Sequence, residues 1–351
     1  MLDVNDTSLQ PSDQPSLEIM LLHHLMIILL TIFGNSLLIY VILKNNQVIR
    51  RKRVTPVQML MLHMCAADIL FALISVGPTM LITATVPYFY GPNWLCKLTK
   101  FLQVVPMYAS SFLLVAISAD RYQAICRPLA SMKSSAYNRP AIYAAVAWAF
   151  AIFFSTPQLY LFEKQDGDCS GNYSSSYQYP LYVILFNSVV WLLPSAIAGY
   201  LYFCVCKAVW KSTSYSSSLR NNMKDKVEQI KMQPVSQGMQ AHHKGATMQC
   251  VELDRRRVQT VKLTLTIVAA NFLLWAPFCI TSVIDALWPT SINSTFATYI
   301  MFFGNLNSCM NPWLWFHFNR NQLHRAIPCR KSSEPLIQSL VYVHVMLTGT
   351  E

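Results

Sequence analysis

Seven runs of the chain are apolar for about 20 residues or more, the length a helix needs to cross the hydrocarbon core of a bilayer. They fall at 20–43, 57–81, 101–125, 141–161, 181–206, 263–287 and 296–318. Lipid offers no partner to a backbone N–H or C=O, so runs of this length must be helices rather than barrel strands. The connections between them are mostly short, polar and basic, which makes the helices neighbours in one bundle. The expected fold is therefore an all-α membrane protein. A seven-transmembrane helix bundle occupies 20–318, after a leading segment 1–19 and before a tail 319–351 that opens with a short amphipathic helix. Of 351 residues 54% are hydrophobic and 12% charged, against about a quarter charged in soluble domains. No alternation of strands and helices marks an α/β enzyme. Ten cysteines include no CxxC pair and no Cys/His cluster at zinc spacing, so no structural metal is expected.

Charge sets the orientation. Alternating the connections across the bilayer puts 24 of the 27 basic residues on one side and leaves Lys97, Lys100 and Lys164 on the other. By the positive-inside rule the basic side is cytoplasmic and the N-terminus extracellular. The net charge of +11 is thus a topology signal rather than a nucleic-acid patch. The first 19 residues hold Asp3, Asp6, Asp13 and Glu18 but no Lys or Arg, so the first apolar run is expected to be a retained anchor rather than a cleaved signal. Three glycosylation sequons, beginning at Asn5, Asn172 and Asn293, all fall on the outer side. The connection 210–257 is rich in Ser, Gln and Met, and reads as a cytoplasmic loop whose helical ends extend the fifth and sixth spans.

Polar residues inside the spans point to function. Asp68 is the one carboxylate deep within a span; it is either a functional acid with a buried partner or a neutral one bonded to a neighbouring helix. Asn35, Ser110, Asn307, Ser308 and Asn311 lie at comparable depth and could share a polar pocket suited to water or to a sodium ion. Asp120-Arg121-Tyr122 closes the third span, where an acid beside an arginine is by itself ordinary snorkelling. Pro78, Pro106, Pro157, Pro194, Pro277 and Pro312 each remove a helical hydrogen bond and mark places where a helix bends. Cys96 and Cys169 are placed to form a disulfide on the oxidising side, pinning the outer loop over the bundle mouth. His23-His24 and His242-His243 are adjacent on helices and diverge, which argues against metal binding. Cys329 is a palmitoylation candidate or a free thiol.

Gly34-Asn35, Asp68, Cys96, Asp120-Arg121-Tyr122, Trp148, Trp275-Ala276-Pro277 and Asn311-Pro312 together resemble the rhodopsin-type (class A) G-protein-coupled receptors over about residues 20–328. Within that group, 100–105 (KFLQVV), 155–158 (STPQ) and 306–313 (LNSCMNPW) are similar to the vasopressin/oxytocin-type peptide receptors. The resemblance implies that Lys100, Gln103 and Gln158 line the peptide pocket, with Trp275 and Phe278 at its floor. It further implies that Asp68, Ser110, Asn307, Ser308 and Asn311 form a sodium-and-water site. Arg121, flanked by Asp120 and Tyr122, would meet the G protein when the sixth helix moves outward, supported by Tyr202 and the Asn311-Pro312 hinge. The chain departs from the family pattern at several positions. Trp315 ends the N-P-x-x-Y motif, and Asn271 and Leu274 flank the Trp275 turn. Arg257 stands where an acid often restrains the arginine, and the glutamines expected near Thr79 and at Ser282 are missing.

The function expected is a plasma-membrane receptor that binds an extracellular neuropeptide, most like vasopressin/oxytocin, and activates a heterotrimeric G protein. Arrestin and receptor kinases would be further partners. Eight acids against three lysines on the outer side would steer neutral or cationic peptides. A receptor for another related neuropeptide is one alternative, and a transporter using Asp68 as its ion site is another, though no inverted repeat supports the latter. A biogenic amine would lack its counter-ion where Gln103 stands, and the seventh span has no lysine for a retinal Schiff base. An enzyme is not expected: the chain has no HExxH, no GxSxG and no paired intramembrane acids.

Overall fold

The computed structural model describes residues 16–50, 54–85, 88–128, 139–230, 238–289 and 291–327, by backbone alone at 213–230, 238–257, 294 and 301. Asn5, Cys329 and the side chains of His242, His243 and Arg257 lie outside the described residues.

Among the described residues seven long helices follow one another. They are α1 (Leu17–Val48), α2 (Pro56–Thr85), α3 (Asn93–Cys126), α4 (Arg139–Leu161), α5 (Gln178–Ser212), α6 (Gly238–Leu287) and α7 (Ser294–Phe318). A seven-residue α8 (Arg320–Ala326) comes next, its Leu323 and Ala326 packed on the main core. The first five, and α6 from Val258, are long and apolar enough to cross a membrane. Asn305, Asn307 and Asn311 make α7 more polar than the rest. The helices overrun the apolar runs because nothing obliges a helix to unwind where it leaves hydrocarbon. At α2 the boundary is set by a capping box: Gln58 N–H donates to Thr55 Oγ1 at 3.3 Å, Thr55 N–H donates to Gln58 Oε1 at 3.0 Å, and Pro56 fills the first helical position. Helical backbone continues from α5 to Ile230 and resumes at Gly238, so the extensions take up most of the connection 210–257.

The sequence did not foretell the small antiparallel hairpin between α4 and α5. Its strands β1 (Phe162–Gln165) and β2 (Asp168–Gly171) are joined through Asp166 and Gly167, both in the left-handed region at φ 49° and 88°. Gly167 is suited to that backbone, and its carbonyl accepts Phe89 N–H at 2.6 Å.

α3 is the central post, packed on α2, α4 and α5, while α7 packs on α1 and α6. One buried cluster, including Leu60, Met64, Leu113, Ile117, Tyr202 and Ile267, runs through the bundle. Because lipid tails are as apolar as leucine, close packing rather than water exclusion must favour association. Ala144, Ala147 and Ala151 give α4 a buried small-residue face that permits such packing. Leu29, Phe33, Phe150, Phe153, Phe203 and Leu273 stay exposed, a surface that belongs against lipid.

The prolines explain much of the rest. Pro312 has no N–H for the Ser308 carbonyl, and Asn35 Nδ2 of α1 donates to that oxygen at 3.0 Å. Pro194 leaves the Val190 carbonyl likewise, and Ser111 Oγ of α3 donates to it at 2.7 Å. Pro157 does the same to the Phe153 carbonyl, which takes Thr156 Oγ1 at 2.7 Å. Trp191 Nε1 also ties α5 to α6, donating at 3.1 Å to the Phe272 carbonyl, one residue before the Leu273 carbonyl that Pro277 deprives of its donor. In lipid the Ser308, Val190 and Phe153 carbonyls have no water to turn to, so nearby side chains satisfy them, and two of the three bonds join separate helices. The widened turns at Phe71–Val76 and Ser188–Leu192 lie just before Pro78 and Pro194, where they relieve the clash of the ring with the preceding turn. At the α1–α7 crossing a Cβ on Gly34 would stand 3.3 Å from Pro312 Cγ, so the glycine lets the helices approach closely enough for the Asn35 bond.

Asn35→Ala is expected to leave the Ser308 carbonyl unpaired and to cost about 1–3 kcal/mol. In a thermal-unfolding assay of purified protein the midpoint should fall. Adding Pro312→Ala, which restores an N–H, should recover part of the loss, whereas strictly additive losses would refute the account.

Candidate functional site

Three groups of predicted residues lie along the bundle. The first is at the hairpin end. Cys96 of α3 and Cys169 of β2 form a disulfide with Cα atoms 5.7 Å apart, both nearly inaccessible. The hairpin is also stapled by Lys164 Nζ to the Gly91 carbonyl at 2.8 Å and by its N–H to Asn93 Oδ1 at 2.9 Å. Beneath it, Lys100 Nζ lies 5.4 Å from the centre of the Phe162 ring, a cation–π contact. One turn deeper, Gln103 Nε2 donates to Thr79 Oγ1 at 3.2 Å, while Thr79 Oγ1 donates to the Ser75 carbonyl at 2.7 Å. Ser75 Oγ closes the ring by donating to the Gln103 carbonyl at 2.5 Å. Two hydroxyls of α2 thus fix Gln103, Thr79 through the side-chain amide and Ser75 through the backbone, and the amide Oε1 accepts no protein hydrogen bond among the described residues. Gln158, 3% exposed, donates through Nε2 to the Tyr182 hydroxyl.

Trp275 is buried on α6, with the Phe278 ring edge-on at 5.6 Å between centroids. Phe278 also walls a cavity of about 50 Å³ with Tyr179, Ser282, Asp285 and Ile300, between α5, α6 and α7. Ser282 Oγ accepts from Asn187 Nδ2 at 3.1 Å, tying α5 to α6. Both positions where glutamines were missing, Thr79 and Ser282, therefore hold hydroxyls that receive an amide from a neighbouring helix.

The second group is the buried polar centre. Asp68 is inaccessible, and Asn311 Nδ2 donates to its Oδ2 at 3.1 Å while the Ser308 side chain lies against it. Asn35 Nδ2 reaches both the Thr31 and Ser308 carbonyls at 3.0 Å. The structure thus joins Asn35, Asp68, Ser308 and Asn311 from α1, α2 and α7. Ser110 and Asn307 are buried on α3 and α7, but their side chains make no hydrogen bond among the described residues. Asp68 Oδ1 and Asn35 Oδ1 are buried without a protein partner. Two uncommitted buried oxygens suit water or a small hard cation. Among the described residues no cluster of His, Cys, Asp and Glu could hold a metal in the usual way. His23 instead stacks on Phe302 at 3.9 Å.

The third group lies at the other end. Asp120, 2% exposed, forms an ion pair with Arg121. The Tyr122 ring meets the Arg127 guanidinium at 5.8 Å, and Arg121 acts electrostatically on the buried Tyr202 phenol. Gln123 links α3 to α4, donating to the Tyr143 hydroxyl at 2.5 Å and accepting from Arg139 at 2.7 Å. Gln259 of α6 donates to the Phe318 carbonyl at the end of α7. A run of amides then ties α8 to α1: Asn45 Nδ2 donates to Gln322 Oε1 at 3.2 Å, and Gln322 Nε2 to Asn319 Oδ1 at 2.9 Å. Asn319 Nδ2 in turn reaches the Trp315 carbonyl at 3.0 Å. Trp315, in place of the family tyrosine, is 3% exposed and packs in the main core.

Asn172 is exposed and donates to Glu163 Oε1 at 2.5 Å, while Asn293 caps α7 by accepting Thr295 N–H at 2.8 Å. Sequence reading missed Ser75, Tyr182, Asn187 and Ser111, and singled out Thr79 only as a missing glutamine. Their one advance signal was a polar side chain inside an apolar run.

Comparison with known proteins fits this arrangement. The pattern of the 7 transmembrane receptor (rhodopsin family) matches residues 34–315. The chain is 84% identical over 345 residues to nematocin receptor 1 of Caenorhabditis elegans, covering 98% of this chain and 91% of that one. It is 47% identical to nematocin receptor 2 of the same organism, over 87% of this chain and 77% of that one. It is 32% identical to cephalotocin receptor 1 of Octopus vulgaris, over 86% and 77% of the two chains. The chain belongs to the rhodopsin family of seven-transmembrane receptors, in its vasopressin/oxytocin-type neuropeptide branch.

Proposed function

We propose that this receptor sits in the plasma membrane with its N-terminus and hairpin end outside, binds a peptide of the nematocin group there, and activates a heterotrimeric G protein through its Arg121 end. The observation that carries the ligand class is the 84% identity to nematocin receptor 1, sustained over 345 residues. The 24 basic residues on the Arg121 side and a disulfide at the opposite end support the orientation. Outside, the resulting excess of acids over lysines steers neutral or cationic peptides toward the mouth.

Gln103 is the proposed anchor for peptide backbone. Its Nε2 is held by Thr79, which leaves Oε1 as a pre-aimed acceptor for a peptide N–H. Lys100 supplies a donor under the hairpin, and Gln158, fixed by Tyr182, shapes the wall between α4 and α5. Trp275 and Phe278 form the floor. A ligand that contacts them differently in two bundle arrangements shifts the equilibrium between those arrangements. Asp68, Asn311, Asn35 and Ser308, with Ser110 and Asn307, form the proposed sodium-and-water centre, held together in the resting bundle. On activation α6 swings outward, Arg121 leaves Asp120 for the G protein, and Tyr202 and the Asn311-Pro312 hinge support the open form. With Arg257 in place of the restraining acid, the bond from Gln259 to the Phe318 carbonyl helps hold the inner end of α6 against α7. Arrestin and receptor kinases are proposed to use the same end, and glycan to occupy Asn5, Asn172 and Asn293. Coupling is reciprocal, so bound G protein raises agonist affinity.

In cells expressing the full chain, nematocin should trigger nucleotide exchange with no substrate flux, read through calcium and cyclic AMP. Flux without exchange would favour a transporter, and a response only to other peptides would move the receptor to a related group. Gln103→Ala is expected to weaken agonist potency about tenfold, the equivalent of about 1.4 kcal/mol, with surface expression kept. Asp68→Asn should remove the sodium sensitivity of agonist binding; an unchanged sodium dependence would dissolve the proposed centre.

A further inference from the structure

The acids at the hairpin end are not equivalent. Glu163 accepts from Gln165 Nε2 at 2.7 Å and Asn172 Nδ2 at 2.5 Å, bonds that hold its carboxyl below the usual range. Asp168 accepts from Cys169 N–H at 2.7 Å and stands beside Lys100. Asp166 occupies the exposed hairpin turn, and Glu18 lies in the first turn of α1, where the helix dipole favours a negative charge. Asp285 has no such account. It is half-buried near the end of α6, and among the described residues it has no hydrogen-bond or ion-pair partner. The three outer lysines are committed elsewhere: Lys164 to Gly91, Lys100 to Phe162 and Asp168, and Lys97 beside Glu163.

Asp285 also has a place to act. It walls the cavity of about 50 Å³ between α5, α6 and α7, whose other walls include the rings of Tyr179 and Phe278. A water needs about 10–15 Å³ by this measure, so the cavity exceeds a single water and suits the head of one side chain. A lone carboxylate flanked by two aromatic rings is complementary to an ammonium or guanidinium group, through a charge-assisted hydrogen bond and cation–π contact. Phe278 connects the cavity to the proposed pocket floor, because the same ring meets Trp275 edge-on at 5.6 Å.

We propose that Asp285 is a counter-ion subsite, where the receptor takes one cationic group of its peptide ligand into the cavity between α5, α6 and α7. This rests on the peptide-receptor reading above and adds which charge the ligand must carry and where it docks.

The test compares nematocin with analogues acetylated at the terminal amine, or with single Arg or Lys residues changed to Gln. These are measured against the full-length receptor and its Asp285→Asn and Asp285→Glu forms, with surface expression followed by an outer tag. Asp285→Asn should weaken the cationic peptide about tenfold, Asp285→Glu should retain most of the affinity, and one neutralised analogue should bind the parent and Asp285→Asn receptors alike. Raising salt should narrow the gap between the parent and Asp285→Asn. Equal losses across all analogues, or no loss for any, would overturn the subsite while leaving the peptide reading intact. A parent receptor that neither binds nor answers any of these peptides would instead remove the peptide reading, and the subsite with it.

Discussion

Pro312 deprives the Ser308 carbonyl of its helical donor, and an amide from the other end of the chain takes the vacant role. The Asn35 bond to that oxygen, at 3.0 Å, decides more than the local shape of α7. It holds α1 against α7 at the level of Asp68, and so places Ser308 and Asn311 around a carboxylate that lipid alone would not tolerate. Ser111 to Val190 repeats the device between α3 and α5, where Pro194 frees the carbonyl. A helix bundle in lipid gains little from burying apolar side chains, because its surroundings are equally apolar. Carbonyls freed by proline offer a different kind of attraction, one that is directional and tied to particular partners.

The same chemistry relates the two ends of the molecule. At the hairpin end a disulfide and Lys164 make a rigid rim, beneath which Gln103 is fixed by hydroxyls of α2. At the Arg121 end the links are side-chain amides, including Gln259 to the Phe318 carbonyl of α7, and one ion pair between sequence neighbours on α3. Such contacts are individually weak and easily exchanged, which suits an end that must open to a protein partner. Between them, Asp68 Oδ1 and Asn35 Oδ1 stay unpaired by protein, a polar joint inside the bundle.

Much of this was legible in the sequence, for reasons that differ by element. Seven apolar runs imposed the bundle, since hydrocarbon leaves a backbone of that length one solution. Asp68 and Asn311 stood out because a polar group at such depth requires a partner, and each proves to be the other's. Cys96 and Cys169 were legible as a pair from the side on which they fall. The hairpin was not, because Phe162–Gly171 shows no clean alternation and its strands are held by the disulfide and by Gly167 rather than by propensity. Ser75 escaped notice, and Thr79 and Ser282 stood out only as missing glutamines, because a hydroxyl inside an apolar run ordinarily bonds back to its own helix. Only their position opposite Gln103 and Asn187 gives them a second role. The lengths of α5 and α6 were understated for a simpler reason: Lys, Gln, Met and Glu continue a helix readily after the apolar run has ended.

The widened turns at Phe71–Val76 and Ser188–Leu192 have a consequence for lineage as well as for shape. Each accommodates one residue more than an ordinary helix would over the same rise. At 3.6 residues per turn that surplus advances everything beyond it by about 100° around the axis. Ser75, Thr79 and Gln103 meet only with that offset in place. A relative lacking one residue there would present a different stripe of α2 to the ligand while keeping both helix ends unmoved. Single-residue gaps in those two stretches are thus a route by which receptors of one architecture could come to discriminate between messengers without rebuilding their cores.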